Sequence, residues 1–298
     1  MKPELKLSGT ISEHASESDW DIIFRPKNKW YNIDIKGIWH YRDLIKLFVR
    51  RDFVAQYKQS LLGPLWILIQ PLLTTILYAL IFGFIARVPM GGIPPALFIM
   101  TAFIPWIYFA DCISKTATTF TGNSAIFGKV YFPRLVSPIS VIISSLFKFC
   151  IQLFLLAGIF IYYKVFHGVN VKIDYHIIFL PLLILLLAGC GLAIGLIVSS
   201  LTTRYRDLGF LIGFFIQFLM YGSSVVIPYT TFKNHETIYA ILKWNPLLWI
   251  MEAFRRAVLG VGEWSWLGLF YACGFMLVLL FIAIVIFSKV ERSFMDTV

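Results

Sequence analysis

Six stretches of the chain are apolar for long enough to cross a bilayer, roughly 62–86, 95–114, 138–165, 177–200, 208–228 and 264–287. A hydrocarbon core takes about 20 residues of helix. The polar segments between these stretches differ widely in length. LTTRYRD alone joins the fourth to the fifth, whereas residues 229–263 form a long connection. Within that connection, IYAILKWNPLLWIMEAFRRAVLG is apolar enough to suggest a seventh span. Lys243, Glu252, Arg255 and Arg256 argue against one, and Asn245-Pro246 would break it midway. The pattern predicts instead one or two short re-entrant or interfacial helices, shielded from lipid by protein neighbours.

Ahead of the first stretch, IWHYRDLIKLFVRRDF is amphipathic at helical spacing. Ile38, Tyr41, Leu44, Ile45, Phe48 and Val49 share one face, with Arg42, Asp43, Lys46 and Arg50 opposite. This predicts a helix in the membrane interface, its basic side toward headgroups or a partner. A juxtamembrane anchor and a mechanical lever joined to the first span both fit. The passage into that span, QYKQSLLGPLWILIQP, is firmly specified. Pro64 suits the first residue of a helix, where its missing N–H costs nothing. Pro71, about two turns further in, removes an interior hydrogen bond and is expected to kink the span.

Composition agrees with the pattern. Of 298 residues, 59% are hydrophobic and 14% charged, where a soluble domain carries about a quarter charged. This is an integral membrane protein. Its net charge of +10 is attributed to loops rather than to nucleic-acid binding. With an inner N-terminus, 18 of the 26 Lys and Arg fall on the inner side and seven on the outer, with Lys148 inside the third stretch. That asymmetry predicts both termini in the cytoplasm. The opening MKPELKLSGTISEHASESDW has no apolar core, so no cleaved signal peptide is expected.

Candidate chemistry is sparse. Cys112, Cys150, Cys190 and Cys273 fall within or at the ends of apolar runs and read as small core residues. GNSAIFGKV (Gly122 to Val130) approaches a phosphate-binding loop. It has five residues between Gly122 and Gly128 instead of four, and Val130 where a hydroxyl should reach magnesium, so no ATP site is expected. The five histidines are scattered, which excludes the common zinc-protease spacing. Gly191 and Gly195, four apart within the fourth stretch, suit close helix packing. Lys148 and Asp111 are intramembrane charges for which a polar cavity, snorkelling and structural pairing all remain open. Arg204, Arg206 and Asp207 form either a positive-inside turn or a grip on phosphate. Phe210, Phe214, Phe218 and Tyr221 recur at helical spacing, and Trp66, Tyr78, Phe103, Trp106, Tyr108 and Phe109 add to them. Such aromatics pack cores and form interfacial belts, and they also stack on the apolar faces of sugar rings.

In order and spacing, VRRDFVAQYKQSLLGPLWILIQP, FGKVYFPRLVSPIS, RYRDLG and WNPLLWIMEAFR resemble the membrane subunit of ABC-2 polysaccharide exporters. That group includes Wzm-type O-antigen permeases, capsule permeases and teichoic-acid permeases. The likeness covers about residues 37–298. It implies an all-α membrane protein with six transmembrane helices, preceded by the interfacial helix (37–61) and with re-entrant segments in 229–263. Residues 1–36 would form an N-terminal tail, 62–287 the transmembrane domain and 288–298 a C-terminal tail. It implies a permease without catalysis or cofactor of its own, in the bacterial inner membrane. It would pair with a second copy and with two Wzt-like ATPase subunits that bind ATP and magnesium.

The substrate implied by the resemblance is a polysaccharide on an undecaprenyl pyrophosphate carrier. Leu62 and Gly63 would lie at its entrance, with Arg50, Arg51 and Lys58 contacting the pyrophosphate. Trp66, Tyr78, Phe210, Phe214, Phe218 and Tyr221 would line the conduit. Arg42, Lys46, Phe127, Lys129, Arg134, Arg204 and Arg206 would couple to the ATPase. A teichoic-acid, capsule, lipid or drug exporter of the same superfamily is the alternative. An integral membrane enzyme acting on lipid-linked sugars is more remote, because it would need clustered loop carboxylates where the inner loops are basic.

Overall fold

The computed structural model describes residues 35–58, 60–127, 130, 132–169, 174–205, 207–232 and 235–295, and every regular element among them is helical. The N-terminal tail, Lys129 and Arg206 lie outside the described residues.

The amphipathic segment forms two helices, α1 (Ile35–His40) and α2 (Arg42–Tyr57), separated at Tyr41. The expected single helix over 37–61 therefore ends sooner, because Gly63 takes a positive φ of 53° and a 3₁₀ turn occupies Gly63–Leu65. Helix α3 (Trp66–Tyr78) follows, passes through Pro71 without a break, and widens into a π-helical segment over Ala79–Ile85. The carbonyl that Pro71 leaves without a backbone donor is that of Ile67. It accepts a hydrogen bond from Gln152 Nε2 at 3.2 Å, on another helix. This replacement lets a buried proline stand inside a membrane helix.

Helix α4 (Pro95–Ala117) is apolar on most sides until its last two turns, which carry Asp111 and Lys115, and it is correspondingly central. It is packed by α3, by α7 (Val136–Phe166), by α8 (Leu180–Arg204) and by α9 (Leu208–Gly222). Between α4 and α7, short helices α5 (Thr119–Gly122) and α6 (Ser124–Phe127) turn the chain. The last long helix, α12 (Trp266–Met295), lies against α8.

Among the described residues, five helices are long and apolar enough to cross a membrane. The fifth apolar stretch, expected over 208–228, is helical only as the 15 residues of α9. At 1.5 Å per residue it reaches about 22 Å, short of a bilayer core of about 30 Å. The chain then turns through Ser224, at φ 56°, and forms α10 (Glu236–Lys243) and α11 (Pro246–Leu259). Asn245 begins α11 where a break is expected. Its side chain accepts from the Leu247 N–H (3.0 Å) and donates to the Gly222 carbonyl (2.8 Å).

Eleven of the 14 residues of α11 are buried, against α4, α8, α12 and a 3₁₀ turn at Tyr175–Phe179. Its charged pair is partnered internally, apart from Arg255 Nε, which is buried without a hydrogen bond among the described residues. Arg255 donates to Glu252 Oε1 (2.6 Å) and to the Ser224 carbonyl (2.6 Å), with its guanidinium 4.2 Å from the Phe98 ring centroid. A re-entrant helix with neutralised charges is the physical answer to an apolar segment too polar to face lipid.

Candidate functional site

Helix α2 buries Phe48, and Tyr41, Leu44 and Ile45 pack against the same cluster, which includes Phe120, Phe127, Phe132, Val136 and Phe287. The apolar stripe thus rests on protein, chiefly α7 and the ends of α8 and α12, rather than on lipid. The opposite stripe is exposed. Lys46 pairs with Asp43 at 2.9 Å, and the Lys46 ammonium holds the Asp43 carboxyl below its usual range.

Where α2 crosses α7 and the end of α4, the three helices enclose an open cavity of about 1030 Å³. One wall is apolar, including Val49, Phe53, Val141, Phe147 and Ile151. The cations Lys46, Arg50, Arg51, Lys115 and Lys148 line the rest, with Asp52. Arg51 is fixed by Asp52 (2.8 Å), by Asn123 Oδ1 (3.3 Å) and by the Phe48 ring. Arg50 is exposed and has no ion-pair partner among the described residues. The arrangement suits an amphiphile with an anionic head, since apolar surface and fixed guanidinium groups share one cavity.

Intramembrane charge is resolved by pairing. Asp111 Oδ2 lies 2.6 Å from Lys115 Nζ and 3.6 Å from Lys148 Nζ. The Tyr57 ring faces Lys148 at 5.8 Å. Burial, and then the Asp111 charge, push the Tyr57 hydroxyl up to about 12.

Of the expected headgroup residues, only Arg50 and Arg51 line this cavity. Lys58 ends α2, exposed, and Leu62 and Gly63 form the turn beyond it. The aromatic candidates occupy a different face. Phe210, Phe214, Phe218 and Tyr221 project away from the bundle at 83, 75, 78 and 49% exposure, while Ile212 and Met220 on the other side of α9 are buried. Trp66 is exposed on α3, and Tyr78 lies beside Tyr221, so α3 and α9 share an aromatic border. Phe103, Trp106, Tyr108 and Phe109 are core instead.

Two of the expected coupling residues are buried in the structure. Phe127 is buried among Phe120 and Phe132, and Arg134, also buried, donates to the Glu291 carbonyl at 3.0 Å over the Phe127 ring. Burial lowers the Arg134 pKa against the opposing pull of Glu291. Both hold the segment between α4 and α7 to the end of α12. Arg42 and Lys46 are exposed, and Arg204 closes α8.

Lys115 lies one residue past the second apolar stretch, so hydropathy alone does not single it out. Helix α4 runs to Ala117, which puts Asp111 and Lys115 one turn apart on one face. That spacing was the available signal.

The sequence profile of the ABC-2 type transporter family matches residues 43–259, from the first turn of α2 to the end of α11. The chain belongs to this family. An O-antigen export system permease protein RfbA of Klebsiella pneumoniae is 27% identical over 256 residues, covering 85% of this chain and 94% of that protein. An O-antigen export system permease protein RfbA of Myxococcus xanthus is 24% identical over 221 residues, covering 74% and 82%. The polysialic acid transport protein KpsM of Escherichia coli is 24% identical, covering 83% and 93%. In ABC-2 terms, the profile takes in the cavity, the aromatic face of α9 and the re-entrant α11, while α12 lies beyond it.

Proposed function

We propose that this chain is the permease subunit of an ATP-driven exporter that moves a polysaccharide carried on a polyprenyl (undecaprenyl) pyrophosphate lipid across a bacterial inner membrane. The observation that carries the reading is the cavity under α2, where Arg50 and Arg51 stand at the edge of an apolar wall. A lipid pyrophosphate needs guanidinium groups for its oxygens and apolar surface for its first isoprene units. The relatives named for O-antigen export and polysialic acid transport support a glycan as cargo. Two copies would join through α3 and α9, whose exposed aromatics would face the passing sugars. ATP would be hydrolysed on separate subunits docked beneath α2, near Arg42 and Lys46, with both termini of this chain on that side.

The test is complementation of a strain lacking the chain. With the Arg50→Ala/Arg51→Ala form, surface glycan should fall about tenfold or more, by the loss of charge-assisted contacts. Lipid-linked polymer should accumulate inside while the ATPase still co-purifies. A deletion strain with normal surface glycan and no internal accumulation would overturn the reading. Restoration of teichoic-acid, capsule or drug export alone would move the substrate class.

A further inference from the structure

The innermost part of the same cavity holds an imbalance that Arg50 and Arg51 do not explain. Two ammonium groups, Lys115 and Lys148, converge on one carboxylate oxygen of Asp111, and the Lys148 side chain is 12% exposed. One carboxylate against two ammoniums leaves a net positive charge, with Lys148 largely withdrawn from water and Lys115 and Asp111 each about a third exposed, and an anion sharing the site would offset it. Two hydroxyls nearby are also unanswered. Ser144, one turn before Lys148 on α7, and Thr119, at the start of α5, both line the cavity. Among the described residues neither buried Oγ has a hydrogen-bond partner. Buried hydroxyls are normally satisfied. Two cations and two unpaired donors, supplied by three helices, form a preorganised set for a group with several acceptor oxygens.

We propose that Lys115, Lys148, Ser144 and Thr119 form a diphosphate subsite, and that Asp111 is its resident counter-ion, displaced from the lysines when the anion arrives. This deepens the reading above and rests on it for the identity of the amphiphile, but the subsite itself concerns diphosphate chemistry. With the site empty, Asp111 bridges the two lysines and partly neutralises them. A diphosphate brings more negative charge and more acceptors than one carboxylate, so it takes over both ammoniums. Asp111 then repels it, which favours release. Such a counter-ion would prevent the positively charged end of the cavity from trapping its ligand.

The role of Asp111 gives the test a sign. The full-length chain in nanodiscs is titrated with geranylgeranyl diphosphate and, separately, with inorganic pyrophosphate. Lys148→Gln and the more exposed Lys115→Gln should each weaken binding about tenfold, and Asp111→Asn should tighten it about threefold. Lys148→Arg, which keeps the charge, should bind within about threefold of the parent. Monodisperse elution is required of each variant. Preference for geranylgeranyl diphosphate assigns the anion to a lipid headgroup. Equal binding of both probes assigns it to the free anion, and either result supports the subsite. Unchanged affinity in both lysine-to-glutamine variants overturns the proposal. So does an Asp111→Asn form that weakens binding as the lysine variants do, since Asp111 would then be a structural clamp. The two readings fail separately. Arginine variants that block export beside lysine variants that bind normally remove the subsite alone. A deletion strain with normal surface glycan removes the glycan reading while diphosphate binding stands.

Discussion

Gln152 and Pro71 are 81 positions apart in the chain and form one device. The proline removes the donor for the Ile67 carbonyl, and Gln152 supplies another at 3.2 Å. Replacing Gln152 by Leu leaves that buried carbonyl unpaired, at a cost of about 1–3 kcal/mol. In the Pro71→Ala background the restored backbone N–H can take the same carbonyl. The Gln152→Leu penalty should therefore shrink there by at least half, as measured by thermal stability in detergent in a double-mutant cycle. Equal penalties in the two backgrounds would show that the bond contributes nothing. The proline was legible in the sequence and its compensation was not, because a glutamine in an apolar stretch does not announce which distant carbonyl it meets. Arg255 is similar. Its presence in an apolar segment argued against a span, but its bonds to Glu252 and to the turn at Ser224 depend on how that segment folds back.

Between elements, the contact of α4 with α8 is set by two small residues. A Cβ on Gly191 would lie 2.6 Å from the Cys112 Cβ and 3.3 Å from the Phe109 carbonyl oxygen, and one on Gly195 would lie 2.6 Å from the Thr116 Cβ. Gly191→Ala and Gly195→Ala must push α8 away from α4 and should each cost about 1–3 kcal/mol. Gly189→Ala, on the face toward α12, would meet the flexible end of Met276, so its cost should stay below about 1 kcal/mol. Thermal unfolding of the three variants checks the order, and equal costs would refute the close-packing account. The spacing of Gly191 and Gly195 already pointed to a helix contact, although the partner helix could not be read from it. The shortness of α9 was less legible. Residues 223–228 are apolar enough to prolong it, but the turn at Ser224, tied to Glu252 at 2.6 Å, ends the helix first.

For the molecule as a whole, the exposed faces of α3 and α9 form an apolar, aromatic-rich surface without an internal counterpart. Leu73, Ile76, Leu77, Leu80 and Phe84 on the first span add to the α9 aromatics. If two copies meet there, a single cysteine at Phe214 or Phe218 should cross-link copies in membranes. The form should lack the four native cysteines, since Cys150 is exposed. A cysteine replacing Phe154, on the exposed side of α7, should remain uncoupled. Cross-linking at Phe154 alone would move the interface to α7.

Hydropathy, proline and charge placement along the chain were enough to establish the membrane class, the helical stretches, the amphipathic helix before them and the short helices on either side of Asn245-Pro246. These properties are local, because a lipid-exposed helix must be apolar over its own length and satisfy its own backbone. Tertiary structure alone decided which charges meet. It set Lys115 and Lys148 on Asp111, buried Arg134 and Phe127 that had looked available to a partner, and gathered Arg50 and Arg51 but not Lys58 at one cavity. Those outcomes depend on desolvation and pairing between residues far apart in the chain, and only packing brings them together.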